Sequence, residues 1–84
     1  MKIVFSKNAE KSYGNLSFNI QKKADKQFML LLSNYRHPSL RARKMGGETF
    51  EARIDRHYRF TFEITQDSIT LRTIGPHDVG LGKK

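Results

Sequence analysis

Two arginines and one histidine are the residues of this sequence that could act together on a phosphate group. Arg53 and Arg59 lie on adjacent predicted strands and share side-chain parity across a turn at 55–57. Guanidinium groups bind phosphate oxygens bidentately and keep their charge at neutral pH. His77 follows the next predicted strand, and histidine can pass a proton near neutrality. These groups suffice for metal-free RNA cleavage, in which the ribose 2′-OH attacks the adjacent phosphorus and arginines stabilise the added charge.

A simpler interpretation of the same residues stays open. Exposed arginines on a sheet are often only solvated charge, and a histidine in a loop is often an ordinary loop residue. Other catalytic chemistries have less support, because the sequence has no cysteine, no metal-ligand spacing such as HExxH, no phosphate-binding glycine motif and no GxSxG context. We therefore expect neither a metal site nor a cofactor.

The elements that must position these residues lie between Phe50 and Asp78. Apolar and polar residues alternate over three segments there, which is typical of half-buried antiparallel strands. Successive side chains of a strand point to opposite faces, so one face should gather the polar residues Glu51, Arg53, Arg59, Thr61, Glu63, Thr70 and Arg72. We expect Gly75 and Pro76 to lie beyond the third strand, because they make a continued strand unlikely, and we expect the loop to turn there and direct His77 toward this cationic face.

Two helices should cover the apolar face of the sheet. A short helix follows Ser6, a possible N-cap, and a longer helix extends from Phe18 to about Tyr35 behind Ser17. The longer segment carries its apolar residues on one stripe with the 3.6-residue period of a helix. Gln27 is expected to lie mostly outside this stripe.

The order of these elements predicts the fold class. The run Met1–Phe5 predicts one strand before the helices, and the three strands of the meander follow them. We expect a single α+β domain over residues 1–84, with two helices packed on one face of a small antiparallel sheet in the order β-α-α-β-β-β. Periodicity does not say where the first strand pairs.

The charge of the chain predicts a polyanionic partner. The formal net charge is +8 over 84 residues, and such a field attracts nucleic acid, an acidic protein or an anionic membrane surface. Part of this charge lies in the segment 37–47, which we expect to be a connector with Arg41, Arg43 and Lys44 close together. The sequence has no apolar run that could span a bilayer, no signal-peptide pattern and no cysteine, so we expect a cytoplasmic protein.

Three stretches of the chain resemble motifs of one protein family. The stretches HPSLRARKMGG, FEARIDRHYRFTFEI and IGPHD, in β-α-α-β-β-β order over nearly the whole chain, resemble the RelE/ParE superfamily of toxins, and specifically its RelE-type mRNA interferases. The resemblance implies catalytic roles for Arg53 and for Arg59, the arginine after the tyrosine. It implies that His77 occupies the C-terminal position that is histidine or arginine in active members. Lys44 and Arg56 match basic positions that contact RNA or the ribosome.

The resemblance also implies a function and its partners. It implies a type II toxin that binds the ribosomal A site and cuts mRNA there, and an acidic antitoxin that masks the basic surface. Many active members have an aromatic residue soon after the histidine or arginine, whereas Val79–Lys84 contains none. Two non-enzymatic alternatives therefore stay open, namely a ParE-like inhibitor of DNA gyrase and an inactive toxin-like protein that only binds a partner.

Overall fold

A five-stranded sheet is the platform on which the chain displays its charged residues. The computed structural model describes residues 1–76. Its elements, in chain order, are β1 (Lys2–Phe5), α1 (Lys7–Gly14), α2 (Phe18–Ser33), a short 3₁₀ helix (Pro38–Leu40), β2 (Arg43–Gly46), β3 (Thr49–Arg53), β4 (Tyr58–Ile64) and β5 (Ser68–Pro76). The strand order across the sheet is β1-β5-β4-β3-β2, so β1 and β2 form its edges.

Both helices begin at the serines predicted to cap them. The Ser6 side chain accepts a hydrogen bond from the Ala9 N–H at 3.1 Å, and the Ser17 side chain accepts one from the Ile20 N–H at 3.3 Å. Each bond satisfies a backbone donor that has no partner within the helix. The Ser6 hydroxyl also donates to the Arg72 carbonyl at 3.0 Å, which ties the start of α1 to β5. Within residues 1–76, neither helix is long and apolar enough to cross a membrane.

The fold class predicted from the sequence is confirmed, since two helices share one core with the sheet. Strands β2, β3, β4 and β5 pair with one another in antiparallel succession. The first strand, whose place the pattern left open, runs parallel to β5, with Ile3 opposite Ile69. The sheet is therefore mixed rather than wholly antiparallel.

The edge strand β2 was not predicted. It lies in the segment interpreted as a connector, and it pairs with β3 between Thr49 and Glu51. All of its residues are exposed, so the segment has no alternation of apolar and polar side chains for a pattern to detect. Backbone pairing, rather than side-chain burial, places this strand.

The core lies between α2 and the alternating apolar residues of the strands. Phe60 and Phe62 of β4 and Leu71 of β5 are fully buried, and α2 packs Phe28 and Leu31 into the same cluster. The Phe28 ring meets the Phe60 ring edge-on, with 5.1 Å between the centroids, a favoured aromatic geometry. This packing fixes which side chains point to the opposite side of the sheet, called here the open face.

Gln27 is a buried polar residue of α2, so the prediction that it lies mostly outside the apolar stripe is wrong. It is three residues after Ala24 and four before Leu31, both buried, and residues at this spacing share one side of a helix. Its Nε2 donates to the Arg53 carbonyl at 2.9 Å and to the Ser39 carbonyl at 3.3 Å. The amide thereby holds the end of β3 against α2 and the 3₁₀ helix.

Candidate nucleic-acid interface

Arg53 and Arg59 lie directly opposite each other on β3 and β4, at one end of the open face. The Ile54 N–H donates to the Tyr58 carbonyl at 2.9 Å, so the alternation of an antiparallel ladder makes Arg53–Arg59 a pair without mutual backbone hydrogen bonds. In such pairs the Cα atoms approach to about 4.5 Å. Both arginines are half-buried. The structure therefore brings together the two arginines that shared parity in the sequence.

The arginine pair carries surplus positive charge. Two salt bridges engage the carboxylates of Glu51 and Glu63, at 3.2 Å and 2.6 Å from arginines of β2 and β5. Among residues 1–76, neither Arg53 nor Arg59 forms a salt bridge. Like charges directly opposite each other destabilise a sheet, and an anion bound between them would remove this repulsion. This end of the open face is suited to a phosphate group.

Asp55 fixes the turn between the two arginines. Its Oδ1 accepts hydrogen bonds from the His57 N–H at 2.8 Å and the Tyr58 N–H at 2.9 Å, and its Oδ2 lies 3.3 Å from Lys23 Nζ. The Asp55 carbonyl oxygen accepts a further bond from Arg59 Nη1 at 3.1 Å. One carboxylate therefore sets the turn geometry, and the same residue orients one guanidinium.

The Asp55 turn should be sensitive to acid. Burial raises the pKa of the Asp55 carboxyl, but hydrogen bonds from the His57 and Tyr58 N–H groups and from Lys23 outweigh burial, so the pKa lies below its ordinary value. A carboxylate whose pKa is lowered by folding stabilises the fold at every pH above its unfolded-state pKa of about 3.9. This stability is lost as the pH falls through the folded-state pKa. Asp55→Asn keeps an acceptor oxygen without the charge, and it should lower the free energy of unfolding at pH 7 by ~1 kcal/mol.

Urea unfolding of the wild type and the Asp55→Asn variant between pH 7 and pH 3 measures this effect. The difference between the two proteins should be constant above the unfolded-state pKa and should shrink below about pH 4. A difference that stays unchanged down to pH 3 would mean that the charge of Asp55 does not stabilise the turn.

A bulge in β5 decides which of its residues reach the open face. The register of β4 against β5 shifts by one residue at Arg72, so side chains after this position alternate in the opposite phase. As a result Thr73 faces Thr61 across the open face, with 2.7 Å between their hydroxyl oxygens, and Ile74 is buried. The bulge thereby places the Thr73 hydroxyl beside that of Thr61 on the open face.

The prediction that Gly75 and Pro76 lie beyond the third strand of the meander is wrong, because β5 continues to Pro76 and pairs Gly75 with Arg59. The first strand pairs only with the N-terminal part of β5. Beyond this part β5 has no neighbouring strand on that side among residues 1–76, so the missing N–H of proline costs no ladder bond. His77 follows in the sequence and lies outside the described residues, so its approach to Arg59 stays a prediction.

The other predicted binding residues lie in two places. Arg41, Arg43 and Lys44 line one cleft of about 340 Å³, although Arg43 also pairs with Glu51 at 3.2 Å. Arg56 is exposed in the turn between β3 and β4, at the end of the sheet that carries the arginine pair. The structure therefore groups the connector residues and places Arg56 apart from them.

Sequence reasoning missed two residues that line the same cleft, Tyr35 and Arg36. They directly precede the basic segment 37–47. An aromatic residue next to an arginine at the start of a basic segment was the signal that could have identified them as candidate binding residues. For the buried amide of Gln27, the signal was its spacing from Ala24 and Leu31.

Solved structures match the chain closely in shape. A scan against protein-family models finds no match, and a search of curated proteins finds none either. The YoeB/ParE toxin from Agrobacterium tumefaciens matches with a TM-score of 0.80 and 13% identity, over 92% of this chain and 99% of that chain. YafQ from E. coli strain BL21(DE3) matches with a TM-score of 0.78 and 13% identity, over 95% of this chain and 97% of that chain. The RelB–RelE antitoxin–toxin complex from Methanococcus jannaschii matches with a TM-score of 0.76 and 18% identity, over 93% of this chain and 94% of that chain.

The chain therefore has the fold of the YoeB, YafQ and RelE toxins. This finding confirms the fold that the resemblance to the RelE/ParE superfamily implies. Identities of 13–18% leave the roles of individual side chains to be argued from the geometry of this chain.

Proposed function

We propose that this chain is the toxin of a type II toxin–antitoxin pair. In this proposal it is an endoribonuclease that cleaves mRNA on the ribosome without a metal ion, and it inhibits translation in the cytoplasm. The observation that carries the proposal is the Arg53–Arg59 pair, which forms no salt bridge within residues 1–76. The pair lies on the open face of a fold shared with YoeB, YafQ and RelE toxins.

In the proposed reaction the ribose 2′ oxygen attacks the adjacent phosphorus, and the bond from phosphorus to the 5′ oxygen of the next nucleotide breaks. The 2′-OH loses a proton and the leaving 5′ oxygen gains one, so the products are a 2′,3′-cyclic phosphate and a 5′-hydroxyl. His77 carries out one of these proton transfers, as base to the 2′-OH or as acid to the leaving oxygen. This assignment rests on the sequence motif, since the structure describes the chain only to Pro76.

Arg59 stabilises the extra negative charge of the pentacoordinate phosphorus, and Arg53 assists it. A guanidinium has five N–H donors, and in Arg59 one nitrogen is anchored to the Asp55 carbonyl at 3.1 Å. The remaining donors are then held in one orientation for phosphate oxygens. Groups that are positioned before the reaction stabilise developing charge without reorganising, which is the basis of their effect on rate.

Four further basic residues bind RNA or the ribosome in this proposal. Arg41, Arg43 and Lys44 share one cleft, and Arg56 lies in the turn beside the arginine pair. Contacts of this kind to phosphates position a nucleic acid without reading its bases. The enzyme should therefore hold the mRNA backbone at more than one point.

An acidic antitoxin is the proposed protein partner. The net charge of +8 on 84 residues favours an acidic protein, and the Methanococcus jannaschii neighbour is a complex of RelE with the antitoxin RelB. Charge steering of such a pair should make association slower as the salt concentration rises.

A second candidate function is ParE-like inhibition of DNA gyrase, or partner binding without catalysis. Two observations favour it. No aromatic residue follows His77 in the sequence, and one structural neighbour is a YoeB/ParE toxin.

Induced expression in a bacterial host separates these functions. Incorporation of labelled amino acids and the supercoiling of a reporter plasmid are measured in the same culture over the first minutes. We expect protein synthesis to stop while supercoiling stays unchanged, and new 5′-hydroxyl ends to appear within translated messages. Relaxed plasmid with continuing protein synthesis would identify a gyrase inhibitor, and no change in either quantity would identify a protein that only binds a partner.

A further inference from the structure

A cleft lies where α2 ends, between the 3₁₀ helix and β2, away from the turn that joins Arg53 to Arg59. Its volume is about 340 Å³, within the range of about 300–1,000 Å³ that is typical of small-ligand sites. None of the described residues that line it is acidic, and four of them are lysine or arginine. Arg43 pairs with Glu51 at 3.2 Å, so the positive charge of the lining comes from Arg36, Arg41 and Lys44.

One wall of the cleft is aromatic. The Phe50 ring stacks on the buried Phe62 ring with 5.4 Å between centroids and 14° between planes, which fixes Phe50 in place. The Tyr35 ring meets Phe50 edge-on at 6.5 Å, and it is half-buried. Tyr35 is therefore held by the core on one side while it lines the cleft.

A planar cation already occupies one face of this tyrosine. The Arg36 guanidinium lies over the Tyr35 ring at 5.5 Å from its centroid, and Arg36 is exposed. Nucleobases stack on aromatic rings and on arginine guanidinium planes in the same way. The Tyr35–Arg36 pair thus presents the kind of flat, cationic surface on which a base stacks.

The cations on the other side of the cleft come from the segment after the 3₁₀ helix. Arg41, Arg43 and Lys44 line it, and the Arg41 backbone has a φ of 48°, the left-handed conformation that residues other than glycine rarely adopt. This conformation closes the 3₁₀ helix through the bond from the Arg41 N–H to the Pro38 carbonyl at 3.1 Å. The strained backbone conformation is therefore that of Arg41, a residue that lines the cleft.

We infer that this cleft binds one nucleotide of single-stranded RNA, with its base stacked on the Tyr35–Arg36 pair and its flanking phosphates on Arg41 and Lys44, since the Arg43 guanidinium is engaged by Glu51 at 3.2 Å. The carboxylates of an acidic peptide would satisfy the cations but offer no aromatic ring to stack on the Tyr35–Arg36 surface, so the aromatic wall favours RNA. The inference rests on the proposed RNA ligand but not on its cleavage. It assigns Tyr35 a base-stacking role that phosphate contacts alone do not provide.

Binding of short 2′-O-methyl RNA tests the inference, because a blocked 2′ oxygen prevents cleavage. Fluorescence anisotropy gives the Kd of a labelled six-nucleotide strand and of a strand of equal length that has no bases. Tyr35→Ala should weaken binding of the complete strand about five- to 150-fold, the effect of losing one base–aromatic stack, and should leave the strand without bases unaffected. Tyr35→Phe should bind both strands like the wild type.

Two further variants separate stacking from folding and from charge. Tyr35→Leu keeps an apolar side chain against Phe50 but has no ring, so it should lose affinity as Tyr35→Ala does while keeping the thermal stability of the wild type more closely. Arg41→Ala should weaken binding of both strands alike, because both carry the same phosphates.

Three outcomes would overturn the inference. These are equal losses for the two strands in Tyr35→Ala, no loss for the complete strand in Tyr35→Leu, and competition by a glutamate-rich peptide that depends on Tyr35. Failure of the proposed function would give a different combination of translation and binding results. A chain that stops no translation but shows Tyr35-dependent binding keeps the inference, whereas a chain that cleaves mRNA with no dependence of binding on Tyr35 refutes the inference alone.

Discussion

Arg59→Ala should slow the cleavage of ribosome-bound mRNA by about a hundred- to a thousand-fold, the usual effect of removing one preorganised donor to a developing anion. The reason is geometric. The guanidinium is anchored at the Asp55 carbonyl and faces Arg53 across the strand pair, without a salt bridge in the part of the chain that the structure describes. Arg59→Lys should recover only part of the rate, because an ammonium group keeps the charge but not the bidentate geometry.

Arg72→Ala is the matched control for Arg59→Ala. Arg72 is an arginine of the same sheet, but its Nη1 lies 2.6 Å from Glu63 Oε2, so its charge is already neutralised. The two variants change the net charge equally. We expect Arg72→Ala to cleave at close to the wild-type rate, and equal losses in both variants would mean that Arg59 acts only through the general positive field.

His77→Ala should lose about a hundred- to ten-thousand-fold in rate, which is typical for the removal of a general acid or base. Single-turnover cleavage across a range of pH distinguishes the two residues. His77→Ala should also remove a titrating group from the pH profile, whereas Arg59→Ala should lower the rate at every pH and keep the profile's shape. A His77→Ala variant that keeps the wild-type rate and pH dependence would reduce His77 to an ordinary loop residue.

The arginine pair could be predicted from the sequence because it depends on local rules. Side chains alternate along strands, and a short turn at 55–57 joins Arg53 to Arg59, so parity alone put them on one face. The N-caps at Ser6 and Ser17 were predictable for the same reason, since each bond closes within three residues.

Features that depend on contacts between distant segments could not be predicted. The strand β2 has no apolar residue facing the core, and only its partner β3 makes it a strand. The bulge at Arg72 is visible only against the register of β4, and it reverses the faces of Thr73 and Ile74. The cleft at Tyr35 likewise forms only when the end of α2 packs beside β2 and β3.

Gln27→Leu should destabilise the protein by ~1–3 kcal/mol, since it leaves the Arg53 carbonyl without its amide donor. Ser39 is exposed, so water can replace the donor to its carbonyl. Because the Arg53–Arg59 pair has no mutual backbone bonds, the Arg53 carbonyl points away from β4. The adjacent strand β2 pairs with β3 only as far as Glu51. The Gln27 amide, 2.9 Å away, takes the place of a strand neighbour there. An 84-residue domain typically has about 5–15 kcal/mol of stability, so this loss is a large fraction of it.

Gln21→Leu is the matched control for this change on the same helix. Its amide also donates to a carbonyl, that of Tyr13 at 2.9 Å, but Gln21 is only half-buried, so water can replace the lost donor and the cost should stay below ~1 kcal/mol. Urea unfolding at neutral pH gives both values from the midpoints, provided that the slopes agree. The Gln27→Leu variant should also slow cleavage, because the end of β3 that carries Arg53 is no longer held against α2. If the two leucine variants lose the same small amount of stability, the Arg53 carbonyl must find another donor, and Gln27 then has no special part in placing the arginine pair.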